Sequence, residues 1–280
     1  MGQTVRMPAL TLPALGTVLC AVDASPHAAA VLHTAAGFAQ PAQAKLLVLR
    51  VDGRAARDDT AMTAARTELG EFVRGVLPDR LSYSERVDLM VGTGDVAADI
   101  LQVAVDEGAG LIVIGTHARG AIGRMLLGST AERVVRDATV PVMIVPPGDP
   151  EIVSVGDWEA APHLGRILVP VDLHDAARRQ LQVAARLSTA SAHRLVLLHV
   201  MSSWAHEPAA LASLREISEG VASAVGVRLL AVEGGIPATI ATIAGRERAG
   251  LVVMGRDRTA AGAIARKVLR ESNAVVVVVP

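Results

Sequence analysis

The second half of this chain repeats the first, and that repeat limits the possible folds more than any other feature. Three apolar runs recur in the same order: 17–23 (TVLCAVD) as 166–172 (RILVPVD), 111–115 (LIVIG) as 251–255 (LVVMG), and 142–146 (VMIVP) as 276–280 (VVVVP). Self-similarity on this scale is typical of a duplicated domain. The sequence therefore predicts two copies of one domain, at 17–147 and 165–280, with a tail at 1–16 and a linker at 148–164.

Short apolar runs alternate with Ala-rich stretches of helical length in each copy. In the first copy, for example, the runs at 45–51 and 86–91 lie on either side of a helical stretch from 58 to 76. Buried parallel strands joined by crossover helices give this alternation. We therefore expect an α/β fold of two tandem domains, each a five-stranded parallel sheet sandwiched by helices, of the Rossmann-like class.

Composition supports sizeable cores and argues against several partners. Apolar residues make up 51% of the 280 residues, and the net charge is −1. The neutral balance and the low aromatic content of 2% do not indicate nucleic-acid binding. No apolar run is long enough to span a bilayer. The single cysteine, Cys20, lies within an apolar strand, which suits a reducing compartment. We expect a cytoplasmic protein without nucleic-acid or membrane partners.

A Gly-rich loop at 115–130 is the main functional candidate. It follows the apolar run 111–114, and Ser129 precedes Glu132 by three residues, the spacing of a capping box that opens a helix. A loop between a strand and a helix N-terminus suits anions, because unpaired backbone N–H groups and the helix dipole both favour negative charge. The sequence thus predicts a phosphate-binding loop.

The length of this loop separates the two copies. Twelve residues lie between Gly115 and Gly128, whereas connections of this kind usually take about 2–6. A tight strand exit and an ordinary helix cap would not need so many. The second copy has only six residues between Gly255 and Gly262, and Ala263 stands where the first copy has a serine. We expect the second domain to keep the fold without the nucleotide site.

The loop and its helix resemble the universal stress protein family. That family's loop has the pattern Gly-x2-Gly-x9-Gly-Ser/Thr after the fourth strand. Here Gly115 takes the first position, Ala118 stands at the second, and Gly128-Ser129 ends the pattern. Asp23 matches the family's acidic residue at the end of the first strand. The resemblance covers both repeats, and the segment 126–135 (LLGSTAERVV) is its most specific part.

The resemblance implies an adenine nucleotide in the first domain. The ligand would be ATP, with ADP or AMP as alternatives and Mg²⁺ as an accompanying ion. The implied nucleotide-binding residues are Ala21, Val22, Asp23, Val51, Ile114, Gly115, His117, Ala118, Arg119, Gly128, Ser129 and Thr130. Of these, Ala21 to Asp23 would line the adenosine pocket and the Val51 backbone would meet the adenine edge. The methyl group of Ala118 restricts positive φ, so it could weaken binding.

The resemblance also implies how the two domains associate. They would pack as an intramolecular pseudo-dimer, with the final strands 141–145 and 275–279 meeting at the pseudo-twofold axis. A homodimer of whole chains is left open. Asp23 keeps a structural alternative, since a carboxylate at a strand end can cap its own loop, and Asp172 repeats it in the copy expected to be empty.

Competing motifs are weaker. Residues 123–130 resemble a Walker A motif, but Ser129 occupies the position of its lysine. Residues 92–97 fit G-x-G-x-x-A without the acidic residue that a dinucleotide site needs on the next strand. The histidines we considered show no paired short spacing for a metal, namely His117, His163, His174, His193, His199 and His206.

We find no catalytic constellation, so the sequence predicts a protein that is not an enzyme, with at most slow ATP hydrolysis. The expected function is ATP binding in stress response or regulation, at one site in the first domain. Two alternatives remain: an interaction or scaffold protein that binds no nucleotide, and a slow nucleotide hydrolase.

Overall fold

The computed structural model describes residues 15–116, 127–147, 165–173, 176–189, 194–219, 221, 226–256, 263–272 and 274–280. The strands are β1 Thr17–Ala21, β2 Lys45–Val51, β3 Val87–Gly92, β4 Ala109–Gly115, β5 Val142–Val145, β6 Arg166–Pro170, β7 Arg194–Met201, β8 Val227–Glu233, β9 Ala249–Gly255 and β10 Val275–Val279. The helices are α1 Ala28–Ala39, α2 Asp59–Val76, α3 Asp79–Ser82, α4 Val96–Asp106, α5 Ser129–Asp137, α6 Ala176–Thr189, α7 Glu207–Ser218, α8 Ile236–Arg246 and α9 Ala263–Ser272.

All of these strands belong to one ten-stranded sheet, in the order β3-β2-β1-β4-β5-β10-β9-β6-β7-β8. Neighbouring strands run parallel within each half. The predicted α/β fold with a five-stranded parallel sheet in each domain is therefore confirmed. The strand order of the second half is the reverse of that of the first half, as a twofold arrangement of two copies requires.

The halves join through their last strands. β5 and β10 pair antiparallel, with Met143 opposite Val277 and Val142 opposite Val278. Because Met143 and Val277 are equivalent positions of the repeat, the pseudo-twofold axis passes between them. The two final strands thus meet at the pseudo-twofold axis as predicted, and the two sheets become one.

Alternating side chains build a core on each face of the sheet. Val18 and Cys20 point to one face and Leu19 to the other, as the period of a strand demands. Helices α1, α2, α6 and α7 cover the first face, and α4, α5, α8 and α9 cover the second. Both cores continue across the seam between the halves, where Val277 belongs to one core and Val276 to the other. Burial of each such side chain contributes roughly 1.5–3 kcal/mol, so the seam is held like a domain interior.

The two residues before β1 are also packed against the domain. Leu15 is buried, and Gly16 forms a bridge with Ala109 at a φ of +61°. The Leu15 carbonyl oxygen lies against Gly110, where a Cβ atom would collide with it. The rest of the predicted tail and the whole predicted linker lie outside the described residues.

Within the described ranges, no helix combines the length and the apolar character needed to cross a membrane.

Candidate functional site

The candidate site lies where the strand order of the first half reverses. β1 connects through α1 to β2 on one side and pairs with β4 on the other, and the β1–β4 ladder continues to Ala21 opposite Ile114. Open α/β sheets bind ligands in the crevice outside the carboxyl ends of the strands at such a switch point. A cavity of about 60 Å³ opens at this place.

Predicted and unpredicted residues share the lining of this cavity. The predicted residues that line it are Ala21, Val22, Asp23, Ile114, Gly115 and Thr130. Val51, Gly128 and Ser129 do not line it, and Val51 instead pairs with Gly92 at the end of β2. His117, Ala118 and Arg119 lie outside the described residues. The lining residues that sequence reasoning missed are Ser25, His27, Ala28, Val31, Val96, Ile100, Thr116 and Ala131.

Helix α5 points its N-terminus at the cavity, but the predicted capping box is wrong. The helix begins at Ser129, its N-cap is Gly128, and no side chain caps the first turn. Glu132 does not fold back on the N-cap; its carboxylate binds Arg266 at 2.6 Å. Since Gly128 has no side chain to offer, the first-turn N–H groups keep their capacity to bind an anion.

Thr116 carries an unsatisfied hydroxyl at the wall of the cavity. The residue is only 3% exposed, and its Oγ1 atom has no hydrogen-bond partner within the part of the chain that the structure describes. Its backbone N–H donates to the carbonyl oxygen of Val145 at 3.2 Å. A buried polar group without a partner costs roughly 1–3 kcal/mol, so this position favours a polar ligand atom or a water in the cavity. Its place next to Gly115 at the end of β4 was the signal that could have revealed it.

His27 explains why the first residue of the loop is a glycine. The imidazole Nε2 lies 3.1 Å from the carbonyl oxygen of Val145, so this nitrogen carries a proton and donates. A Cβ atom added to Gly115 would lie 3.1 Å from His27 Cδ2 and 3.0 Å from Val31 Cγ2. A larger residue here would make both side chains shift by a few tenths of an ångström, which glycine avoids. His27 follows the Ser25-Pro26 turn at the exit of β1, a position that sequence reasoning could have weighed.

Asp23 caps the loop after β1. Its Oδ1 atom accepts hydrogen bonds from the backbone N–H of Ser25 at 3.0 Å and from the Ser25 hydroxyl at 2.5 Å. This contact is the structural role that the sequence left open for Asp23. The carboxylate is exposed and still lines the cavity, so it can face a ligand as well.

Metal and thiol chemistry find no support in the described part of the chain. No group of three His, Cys, Asp or Glu side chains there could hold a metal ion. Cys20 is fully buried in β1, and burial raises the pKa of its thiol far above the ordinary value. A thiol that stays protonated is a core residue and not a nucleophile.

The family model described as the universal stress protein family matches residues 15–146 and again 163–280. The chain belongs to the universal stress protein family. The double match makes it a tandem member, in which both halves of the sheet are universal stress protein domains.

Individual relatives agree with this assignment. A universal stress protein of Thermus aquaticus is 35% identical over 143 residues, which are 46% of this chain and 97% of the relative. Universal stress protein YxiE of Bacillus subtilis is 27% identical over 143 residues, which are again 46% of this chain and 97% of the relative. A solved universal stress protein of Archaeoglobus fulgidus covers 94% of this chain and 95% of its own with a TM-score of 0.70 and 22% identity. That likeness extends the fold comparison to nearly the whole tandem arrangement.

Proposed function

We propose that the first domain binds one adenine nucleotide at the β1–β4 switch point, and that this binding serves a regulatory role in stress response. The observation that carries the proposal is the buried, unpartnered Oγ1 atom of Thr116 in the wall of the cavity. Such an atom is stabilised by a polar ligand and destabilises the empty protein.

Two further features support a phosphate at this place. The uncapped first turn of α5 offers backbone N–H groups and the positive end of its dipole, and Thr130 and Ala131 of that turn line the cavity. In this proposal Mg²⁺ enters together with the phosphates.

The size of the cavity limits how the nucleotide would lie. A volume of about 60 Å³ is far below the roughly 300–1,000 Å³ of typical small-molecule sites, so only one end of the ligand would enter it. The adenosine would extend past Val22 and Asp23, whose carboxylate can accept a hydrogen bond from a ribose hydroxyl.

Gly128 provides a charge test with a matched control. Its φ of −67° and ψ of 156° suit any residue, and both Asp and Asn are good N-cap residues. Gly128→Asp should therefore preserve α5 while its carboxylate repels phosphate, and Gly128→Asn should preserve α5 without the charge. Calorimetric titration of nucleotide-free protein with ATP should give one site per chain, at least tenfold weaker in Gly128→Asp than in Gly128→Asn.

Thr116→Val tests the role of the unpartnered Thr116 hydroxyl. Removing the unsatisfied hydroxyl should raise the melting temperature of the nucleotide-free protein and weaken ATP binding severalfold, two effects of opposite sign. Two equal sites per chain, or no binding by nucleotide-free wild type, would overturn the proposal, and the second result would favour an interaction protein that binds no nucleotide. ATP turnover that disappears in Asp23→Ala would favour the slow hydrolase.

A further inference from the structure

The switch point of the second domain is built differently from that of the first. The β6–β9 ladder ends at Leu168 opposite Val252, whereas the β1–β4 ladder continues two residues further to the equivalents of Val169 and Pro170. Pro170 has no backbone N–H to donate to β9, and proline is tolerated where a ladder bond is lost. The two strands therefore stop pairing before their carboxyl ends.

Gln180 spans the gap that results. Turned so that both neighbours are satisfied, its amide nitrogen donates to the carbonyl oxygen of Pro170 at 3.1 Å, and its oxygen accepts from the backbone N–H of Gly255 at 2.6 Å. The residue is 6% exposed. The equivalent residue of the first domain, Val31, cannot make these bonds. Gln180 thus bridges the ends of β6 and β9 in place of the lost strand–strand hydrogen bonds.

The crevice leads into a cavity of about 720 Å³, against about 60 Å³ in the first domain. Small-molecule sites in proteins typically measure about 300–1,000 Å³. Of the two switch points, the one in the copy expected from its short loop to lack the nucleotide site therefore has a cavity of ligand size.

The walls of this cavity differ from those of the first domain where a phosphate would bind. Ile264 stands on α9 at the position of Thr130 on α5, and both residues line their cavities. Arg256 follows β9 at the position of Thr116, but its guanidinium donates to the carbonyl oxygens of Arg136 and Ala138 at 2.7 and 2.8 Å. Only the stem of Arg256 is left for the cavity. Ile236 and Ile240 of α8 extend the apolar wall.

A cation without a partner lies at the edge of this apolar space. Arg179 of α6 is exposed, lines the cavity, and makes no ion pair or hydrogen bond with the part of the chain that the structure describes. The neighbouring Arg178 pairs with Glu216 at 4.0 Å. The acidic residue Asp172 also lines the cavity and has an interaction of its own.

We propose that the second domain binds a small amphipathic monocarboxylate, with its apolar body against α8 and α9 and its carboxylate at Arg179. An apolar chain gains about 0.8 kcal/mol for each buried CH₂ group, and a guanidinium is the side chain best suited to a carboxylate. The site differs in place and in ligand from the nucleotide site of the first domain, so each can be tested without the other.

Decanoate serves as the probe, with decan-1-ol and decylammonium as head-group controls on the same chain length. Calorimetry on the full chain should show one decanoate site, with weaker binding of the alcohol and the cation. Arg179→Gln should weaken decanoate about tenfold, the size expected for loss of a charge-assisted contact, and Arg178→Gln should leave it unchanged.

Two substitutions at equivalent positions test the two binding sites independently. Ile236 and Val96 are equivalent first residues of α8 and α4, are 50% and 43% exposed, and line their respective cavities. Ile236→Trp should abolish decanoate binding and leave ATP binding intact, and Val96→Trp should leave decanoate binding intact. No decanoate binding, equal binding of all three probes, or binding that Ile236→Trp leaves unchanged would overturn the proposal. Loss of ATP binding alone would count only against the nucleotide site.

Discussion

The carboxylate of Glu132 on α5 binds the guanidinium of Arg266 on α9 at 2.6 Å, across the pseudo-twofold axis. The two residues occupy equivalent positions of the repeat, so an exact duplicate would place two like charges face to face. Divergence of the copies has turned that repulsion into an ion pair. The pair favours association of a first domain with a second domain over association of two first domains.

Arg266→Glu should lower the free energy of unfolding by about 1 kcal/mol, because two partly exposed carboxylates would then meet. The double variant Glu132→Arg/Arg266→Glu should recover most of this loss by restoring an ion pair of opposite direction. Urea unfolding of the wild type, both single variants and the double variant gives the coupling energy. Additive losses in the double variant would show that the contact is not energetically coupled.

Glu247 should be the most sensitive charged residue of the second domain. Its side chain is 8% exposed and binds both Arg166 and Arg228, the latter at 3.1 Å. Glu247→Gln should cost about 1–3 kcal/mol in unfolding free energy, because a neutral amide cannot compensate two guanidinium groups at a nearly buried position.

The first domain offers the matched control, since its corresponding cluster has the opposite charge pattern. There Lys45 is the shared group, bound to Asp88 at 2.9 Å and to Glu107 at 3.1 Å. In Glu107→Gln, Lys45 keeps Asp88 as its partner, so the loss should stay below 1 kcal/mol. Equal losses for the two variants, measured by urea unfolding, would contradict this account.

Asp52 should make stability depend on pH in the acid range. Its side chain is 13% exposed, and hydrogen bonds from the Arg54 side chain and backbone lower the pKa of the Asp52 carboxyl to about 2. Since the folded pKa lies below the ordinary value of 3.8, the stabilisation is fully present above about pH 4 and is lost as pH falls toward 2.

The stability deficit of Asp52→Asn relative to wild type should therefore shrink between pH 5 and pH 2. An NMR titration of the Asp52 carboxyl should give a midpoint near 2, and Arg54→Gln should move that midpoint up toward the ordinary value. A midpoint that stays in place after Arg54→Gln would mean that the guanidinium is not the cause.

Gln180 should be required to satisfy the backbone hydrogen-bonding groups at the switch point of the second domain. Gln180→Leu would leave the Gly255 N–H and the Pro170 carbonyl without their partner, at a cost of about 2 kcal/mol. Hydrogen exchange at the Gly255 amide should accelerate in this variant, while the amide of Gly115 in the first domain should exchange as before. Unchanged protection at Gly255 would show that another group satisfies it.

Side chains cap some of the helix N-termini and not others. Asp95 caps α4, with its carboxylate accepting from Ala98 N–H at 2.9 Å. The capping box expected at Ser129 is wrong, because α5 begins at Ser129 itself, and α1 likewise begins at Ala28 without a side-chain cap. A serine can cap only if the backbone turns into the helix at that residue, and the loops before α1 and α5 turn elsewhere.

The candidate site was predictable where it depends on strand ends. Gly115 ends β4 and Asp23 follows β1 by two residues, and the apolar runs locate both strand ends. Thr116 and His27 follow the exits of β4 and β1 and could have been considered in the same way, whereas Val96 could not, since its facing the cavity depends on how α4 packs on the sheet.

By itself, the sequence determined the duplication, the α/β class and the parallel halves, because apolar periodicity and repetition are local properties of the chain. The seam between the final strands was expected only from the resemblance to the universal stress protein family. Only the tertiary structure decided which copy has the larger cavity. The shortened loop of the second copy predicted a domain without the nucleotide site, yet a cavity of about 720 Å³ lies at its switch point, where Pro170 of β6 and Gln180 of α6 meet. Their effect depends on a ladder bond that is missing between two strands far apart in sequence, and only the folded register brings those strands together.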